Sequence, residues 1–110
     1  MNTRKFSSRQ EKYVAKKFNG KVQPNSGATP FMKGDVVIGS NWLVECKTQT
    51  TDKKSITIKK EWLDKLEEER FAMRKTNSVL AFNFGPNGEM YYVISENVFK
   101  DVVRRQQDEQ

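Results

Sequence analysis

Two runs of branched and aromatic residues, Asp35-Val36-Val37-Ile38 and Trp42-Leu43-Val44-Glu45-Cys46-Lys47, flank the small polar break Gly39-Ser40-Asn41. This pattern predicts a β-hairpin. Upstream, Val14, Ala15 and Phe18 lie three, four and seven residues after Glu11, the spacing of one helical face. Ser8 and Glu11 have the spacing of a capping box, so the helix is expected to open at Ser8 and to stop at Asn19-Gly20. Lys21-Val22-Gln23 reads as a short strand, and residues 24–30, bracketed by Pro24 and Pro30, as a polar loop. After the hairpin, residues 48–55 are polar and Ile56 and Ile58 alternate with Thr57. Trp62, Leu63, Leu66 and Met73 then line one face of a helix expected from about Lys59 to Lys75. Residues 78–84 and 90–94 predict strands around a turn at Gly85-Pro86-Asn87-Gly88. Ser95 is expected to cap a last helix carrying Val98, Phe99, Val102 and Val103. Residues 1–6 and 106–110 are expected to be disordered ends. The aromatic residues Phe82, Phe84, Tyr91 and Tyr92 are expected in the core rather than as base-stacking platforms.

The hairpin has a chemical consequence. A three-residue loop sets Asp35 opposite Glu45, and directly opposed residues have Cβ atoms about 4.5–5.5 Å apart. Side chains alternate along a strand, so Glu45 and Lys47 share a face with Leu43, while Trp42, Val44 and Cys46 take the other. Two carboxylates and a lysine therefore converge.

Composition narrows what such a cluster can do. With 110 residues, 35% of them apolar, the chain fits one small domain. No apolar run approaches the roughly 20 residues needed to cross a bilayer, and no secretory leader pattern is present. A soluble, intracellular, cytoplasmic protein is expected, with no membrane partner. The single cysteine, Cys46, excludes an internal disulfide and a cysteine-rich zinc site, and the lack of histidine removes the usual general base and zinc ligand. Carboxylates, lysines and metal remain. Net charge is +6, but residues 1–60 hold 13 Lys or Arg against four acids, while residues 61–110 hold seven against ten. A basic half implies a polyanionic partner such as DNA. Its contacts are assigned to Arg9, Lys12, Lys16 and Lys17 on the first helix, to Ser26 and Lys33 in and after the loop, and to Lys53, Lys54, Lys59 and Lys60 after the hairpin.

A divalent ion held by oxygen ligands suits phosphodiester hydrolysis. Asp35 and Glu45 would hold it, the Cys46 backbone carbonyl could add a further oxygen, and an all-oxygen set favours Mg²⁺, with Mn²⁺ as substitute. Glu11 has two compatible readings, the inner member of a capping box and a further carboxylate aimed at the same ion. Lys47 is left with two roles, orienting or deprotonating the attacking water, or neutralising transition-state charge.

With these residues in place, the chain resembles the PD-(D/E)XK nuclease superfamily, and within it the small archaeal-type Holliday-junction resolvases. The resemblance rests on residues 7–11 opening the first helix, the Ser26-Gly27 loop, Gly34-Asp35, residues 44–48 (Val44-Glu45-Cys46-Lys47-Thr48), and the helix then strand that follow. It implies an α/β fold, a restriction-endonuclease-like mixed central sheet flanked by helices in the order αβββαβ. It also implies an active site of Glu11, Asp35, Glu45 and Lys47 assisted by Ser26, and a homodimer that makes paired nicks in four-way or other branched DNA during recombination and repair. The chain departs from the pattern with Gly34 where proline is usual, Lys12 where arginine is usual, and Cys46 in place of an apolar residue. The compact size suits a virus-encoded enzyme. The alternatives are a nicking, flap or virus-type replication-repair nuclease, for which Gln49 is an imperfect signature, and a non-catalytic nucleic-acid-binding module.

Overall fold

The computed structural model describes residues 3–24 and 35–108. Eight elements follow one another: α1 (Thr3–Phe18), β1 (Lys21–Val22), β2 (Val36–Ile38), β3 (Trp42–Lys47), α2 (Lys60–Ala72), β4 (Asn77–Phe82), β5 (Tyr91–Val93) and α3 (Glu96–Asp108). The five strands form one sheet in chain order. Every neighbouring pair is antiparallel except β3 and β4, which run parallel and are joined through α2. The fold is thus a mixed α/β sheet with flanking helices, and its first six elements follow the expected order αβββαβ.

Alternation along β3 builds the layers. Val44 and Cys46 pack with Val14 and Ala15 of α1 and with Val36, Val79 and Ala81. Leu43 turns to the opposite side, where it meets Leu80 and Leu66 of α2, with Trp62, Leu63 and Met73 around them. The expected division of faces therefore holds.

Both ends of the first helix matter. It begins at Thr3, so Ser8 and Glu11 lie in its interior and no capping box forms; the expectation of a disordered arm over residues 1–6 gives way to helix from Thr3 onward. Hydroxyl groups here bond within the helix, as Ser7 Oγ does to the Arg4 carbonyl at 3.1 Å. The helix stops where expected: Asn19 takes φ +55° and the Gly20 N–H donates to the Ala15 carbonyl at 2.7 Å, closing a Schellman motif. A Cβ on Gly20 would lie 2.6 Å from the Val37 carbonyl oxygen, so only glycine lets the chain pass that close to β2.

Downstream, α2 ends with Arg74 at φ +56° and the Lys75 N–H on the Arg70 carbonyl, a second Schellman motif. Ser95 does cap α3, its Oγ accepting the Val98 N–H at 3.2 Å. That helix runs to Asp108, past the expected frayed end at residue 106. It buries none of its residues: Phe99 is 58% exposed and Val102 43% exposed. The aromatic expectation also shifts. Phe82 and Phe84 are half-buried and Tyr91 and Tyr92 exposed, with Phe82 stacked on Tyr91 and Phe84 edge-on to both, outside the buried core.

Candidate active site

The β2–β3 hairpin has the expected register, with Ile38 opposite Trp42, Val37 opposite Leu43 and Val36 opposite Val44. The pairing ends there, and Asp35, one residue before β2, bonds through its N–H to the Val44 carbonyl and so lies beside the Val44–Cys46 stretch of β3. Gly39 supplies φ +59° at the start of the loop, a conformation that costs glycine little. Asp35 is only 7% exposed. Its Oδ2 accepts the Cys46 N–H at 2.7 Å, and its backbone N–H donates to the Val44 carbonyl at 3.0 Å. The carboxylate is thereby held over the end of β3.

Two further carboxylates feel it. Glu45, on the α2 face, has its pKa pushed up to about 8, first by burial and next by the negative charge of Asp35; Lys47 counteracts, Glu69 adds and Lys65 again opposes. Glu11 comes from α1 on the other face, and burial followed by the Asp35 charge pushes it up to about 7. The Asp35 charge is therefore felt by Glu11 and Glu45 from opposite layers. With Glu11 inside α1, the capping-box reading falls away.

Cys46 is buried on the α1 side, and desolvation, followed by the charges of Asp35, Glu11 and Glu45, pushes its thiol far up. It behaves as a small apolar residue there. Lys47 points to the α2 face, its Nζ 4.2 Å from the centre of the Trp62 ring. The ring fixes the direction of the ammonium and leaves its donors available.

Among the described residues no three His, Cys, Asp or Glu side chains approach closely enough to form a metal cluster by themselves. Mg²⁺ does not require one, since it keeps several waters and commonly takes one or two carboxylates. Glu45, whose charged form is disfavoured by burial and by the Asp35 charge, forms with Asp35 a donor pair that a hard cation would relieve. The residues present fit such an ion, with Asp35 and Glu45 as its holders.

Comparison with protein-family models, with curated proteins and with solved structures gives no match. The site therefore has to be judged on its own geometry.

Of the basic residues assigned to DNA, Arg9, Lys12, Lys16, Lys17, Lys53, Lys54, Lys59 and Lys60 are all exposed. Lys60 is joined to Asp64 at 2.8 Å, and Lys59 lies 5.8 Å from the Trp62 ring centre. Lys16 and Lys17 occupy the last turn of α1, where a positive charge also favours the helix dipole. Ser26, Lys33 and Gly34 lie outside the described residues.

Three residues escaped the sequence reading. Gln10 is buried, its Nε2 donating to the Lys47 carbonyl at 3.1 Å and its Oε1 accepting from Thr48 Oγ1 at 2.5 Å, so that α1 clamps the end of β3. Its position four residues before Val14, on the buried stripe, was the available signal. Glu69 on α2 adds charge near Glu45 and has a buried Oε2 without a hydrogen-bond partner. Trp62 carries Lys47; both follow from a charged or aromatic residue on an otherwise apolar helical face.

Proposed function

We propose that this chain is a Mg²⁺-dependent, structure-specific endodeoxyribonuclease of the PD-(D/E)XK type, acting on branched DNA as a junction resolvase. The observation that carries the reading is the Asp35 carboxylate held on the Cys46 N–H at the end of the β2–β3 hairpin, close enough for its charge to act on Glu45, with Lys47 two residues on along the same strand. Glu11 reaching Asp35 from a separate helix supports it.

Asp35 and Glu45 would hold the ion, with the Cys46 carbonyl as a further oxygen. When bound, Mg²⁺ polarises the phosphoryl oxygen, lowers the pKa of a coordinated water and offsets charge on the leaving oxygen. Glu11 adds negative charge on the α1 side of Asp35 and strengthens the hold on a cation. Lys47, steadied by Trp62, presents its ammonium on the face of Glu45, where it orients the nucleophile or neutralises the phosphorane-like transition state. Exposed lysines on α1 and after β3 bind backbone phosphates, and a homodimer brings two such sites to the two strands of one junction. The uncovered apolar stripe of α3 supports the dimer.

The test is cleavage by purified protein of a four-way junction, a flap, a fork and a linear duplex of equal length, in Mg²⁺ and in EDTA. Paired nicks in the junction that need Mg²⁺ are expected; equal cleavage in EDTA would remove the assignment. A flap or nick preference would keep the chemistry and change the substrate. A second reading, a DNA-binding module without catalysis, is favoured by one observation: Asp35 Oδ2 is already engaged by the Cys46 N–H. It predicts junction binding without cleavage in Mg²⁺ or Mn²⁺.

A further inference from the structure

A cavity of about 400 Å³ opens beyond the ends of β3 and β4, lined among others by Arg9, Gln10 and Tyr13 of α1 and by Asn83, Glu89 and Met90 from the β4–β5 connection. Its size lies within the roughly 300–1,000 Å³ usual for small-molecule sites. Its place is also a usual one. β3 and β4 are the single parallel pair of the sheet, and ligands of α/β sheets gather outside the carboxyl ends of parallel strands. Asn83 follows Phe82, which pairs with Lys47, so the cavity begins one residue past the proposed catalytic strand. Gln10 is the connection, with its Nε2 between the Lys47 carbonyl and, at 3.7 Å, the Met90 sulfur.

The chemistry of the lining is specific. Asn83 is only 4% exposed, and its Oδ1 has no hydrogen-bond partner among the described residues. A buried acceptor left unpaired is costly, and a donor that reached it from the cavity would relieve that cost. Tyr13, four residues after Arg9 on the same side of α1, is 51% exposed and offers a ring for stacking. The Arg9 guanidinium lies 5.6 Å over the Phe6 ring and is exposed to a passing phosphate. An acceptor in the wall, an aromatic plane and a cation at the rim match a nucleotide: an N–H of the base edge, its π face and its phosphate.

We propose that this cavity binds a single unstacked nucleobase of the DNA strand, next to the carboxylate site. The inference rests on the nuclease reading and gives it a substrate feature: an unpaired nucleotide, such as a branch point presents at little unstacking cost. Arg9 takes the phosphate, Tyr13 stacks on the base and Asn83 accepts its N–H, while Gln10 sets the distance from the base to Lys47.

The experiment measures affinity by fluorescence anisotropy in EDTA, so that no cleavage is needed. It compares a duplex bearing one unpaired nucleotide, the same duplex with an abasic site at that position, and the fully paired duplex. The unpaired base should bind about 10-fold more tightly than the abasic analogue, about 1.4 kcal/mol, since the phosphates are the same. Tyr13→Ala and Asn83→Leu should each remove most of that preference while leaving affinity for the paired duplex unchanged, and Tyr13→Phe should retain it. Because Asn83→Leu removes an unpaired buried acceptor, its melting temperature should not fall, which separates loss of the site from loss of the fold. Equal affinity for the base and the abasic analogue would overturn the proposal. A junction-cleaving protein without base preference removes this inference alone, and a base preference without Mg²⁺-dependent cleavage removes the nuclease reading alone.

Discussion

Asp35 is the residue on which the site turns, because its charge reaches a carboxylate in each layer. Glu11 and Glu45 have pKa values raised from 4.5 to about 7 and about 8, and the sign of the resulting pH dependence follows. Below about pH 4.5 folded and unfolded chains both hold these protons and nothing is lost. As pH rises from there toward 8, the unfolded chain has released protons that the folded chain keeps, so stability falls, and it levels off above the folded values. The metal-free protein should therefore melt at a lower temperature near pH 8 than near pH 5, and Mg²⁺ should restore the difference mainly at the higher pH. Glu45→Gln should flatten this profile; a melting temperature rising through the same range would contradict the assignment. The same variant keeps shape and hydrogen bonding but removes a metal-binding charge, so the cleavage rate should fall by orders of magnitude with DNA binding retained or tighter. Glu11→Gln should slow cleavage less. With no capping box in α1, it should leave the helix intact, and a loss of helicity with full activity would restore the capping role.

At the level of elements, the hairpin was legible because a period-two pattern with a glycine-containing break admits one register that buries Leu43, Val44 and Cys46. The start of α1 was not. Ser8 and Glu11 imitate a capping box, but local sequence cannot reveal that the helix continues upstream with its hydroxyls bonded internally. Gln10 and Glu69 were hidden for a related reason, since their meaning depends on β3, which lies distant in sequence and adjacent in space. The Asn19-Gly20 stop was legible in kind, though its reason lies in tertiary structure. Gly20→Ala should cost about 1–3 kcal/mol, as overpacking usually does, because the new methyl meets the Val37 carbonyl oxygen at 2.6 Å. Asn19→Gly, at φ +55°, should be neutral or slightly stabilising. Thermal melts of the two would distinguish a close approach from a generally fragile helix end, in which case both would destabilise.

For the whole molecule, on the proposed nuclease reading, charge and shape decide which DNA is chosen. Each phosphate neutralised adds roughly −0.9 to the log–log salt slope, so replacing exposed Lys53 and Lys54 with alanine should flatten that slope and weaken junction binding without changing the metal requirement. A preference for junctions over linear duplex of at least about 100-fold, about 2.7 kcal/mol, requires two linked sites, and α3 is the element left free to link them. Pairing α3 with its copy antiparallel about a two-fold axis between Lys100 and Asp101 sets Phe99 against Val102 and Val98 against Val103. It also sets Glu96 against Arg105 at the flanks of the stripe, so apolar groups meet apolar groups and opposite charges meet at their edge. Arg105 already holds Asp101 at 3.1 Å, but that exposed pair is worth little and can be shared. The stripe is two turns long and falls at the small end of stable interfaces, so the free protein should show a concentration-dependent monomer–dimer equilibrium that junction DNA tightens. Phe99→Lys together with Val102→Lys should yield a folded monomer by sedimentation. That monomer should nick a junction in one strand at a time and lose the junction preference, with its Mg²⁺ requirement unchanged. A wild-type chain that stays monomeric on DNA and cuts linear duplex as fast as a junction would leave a general nuclease and remove the resolvase.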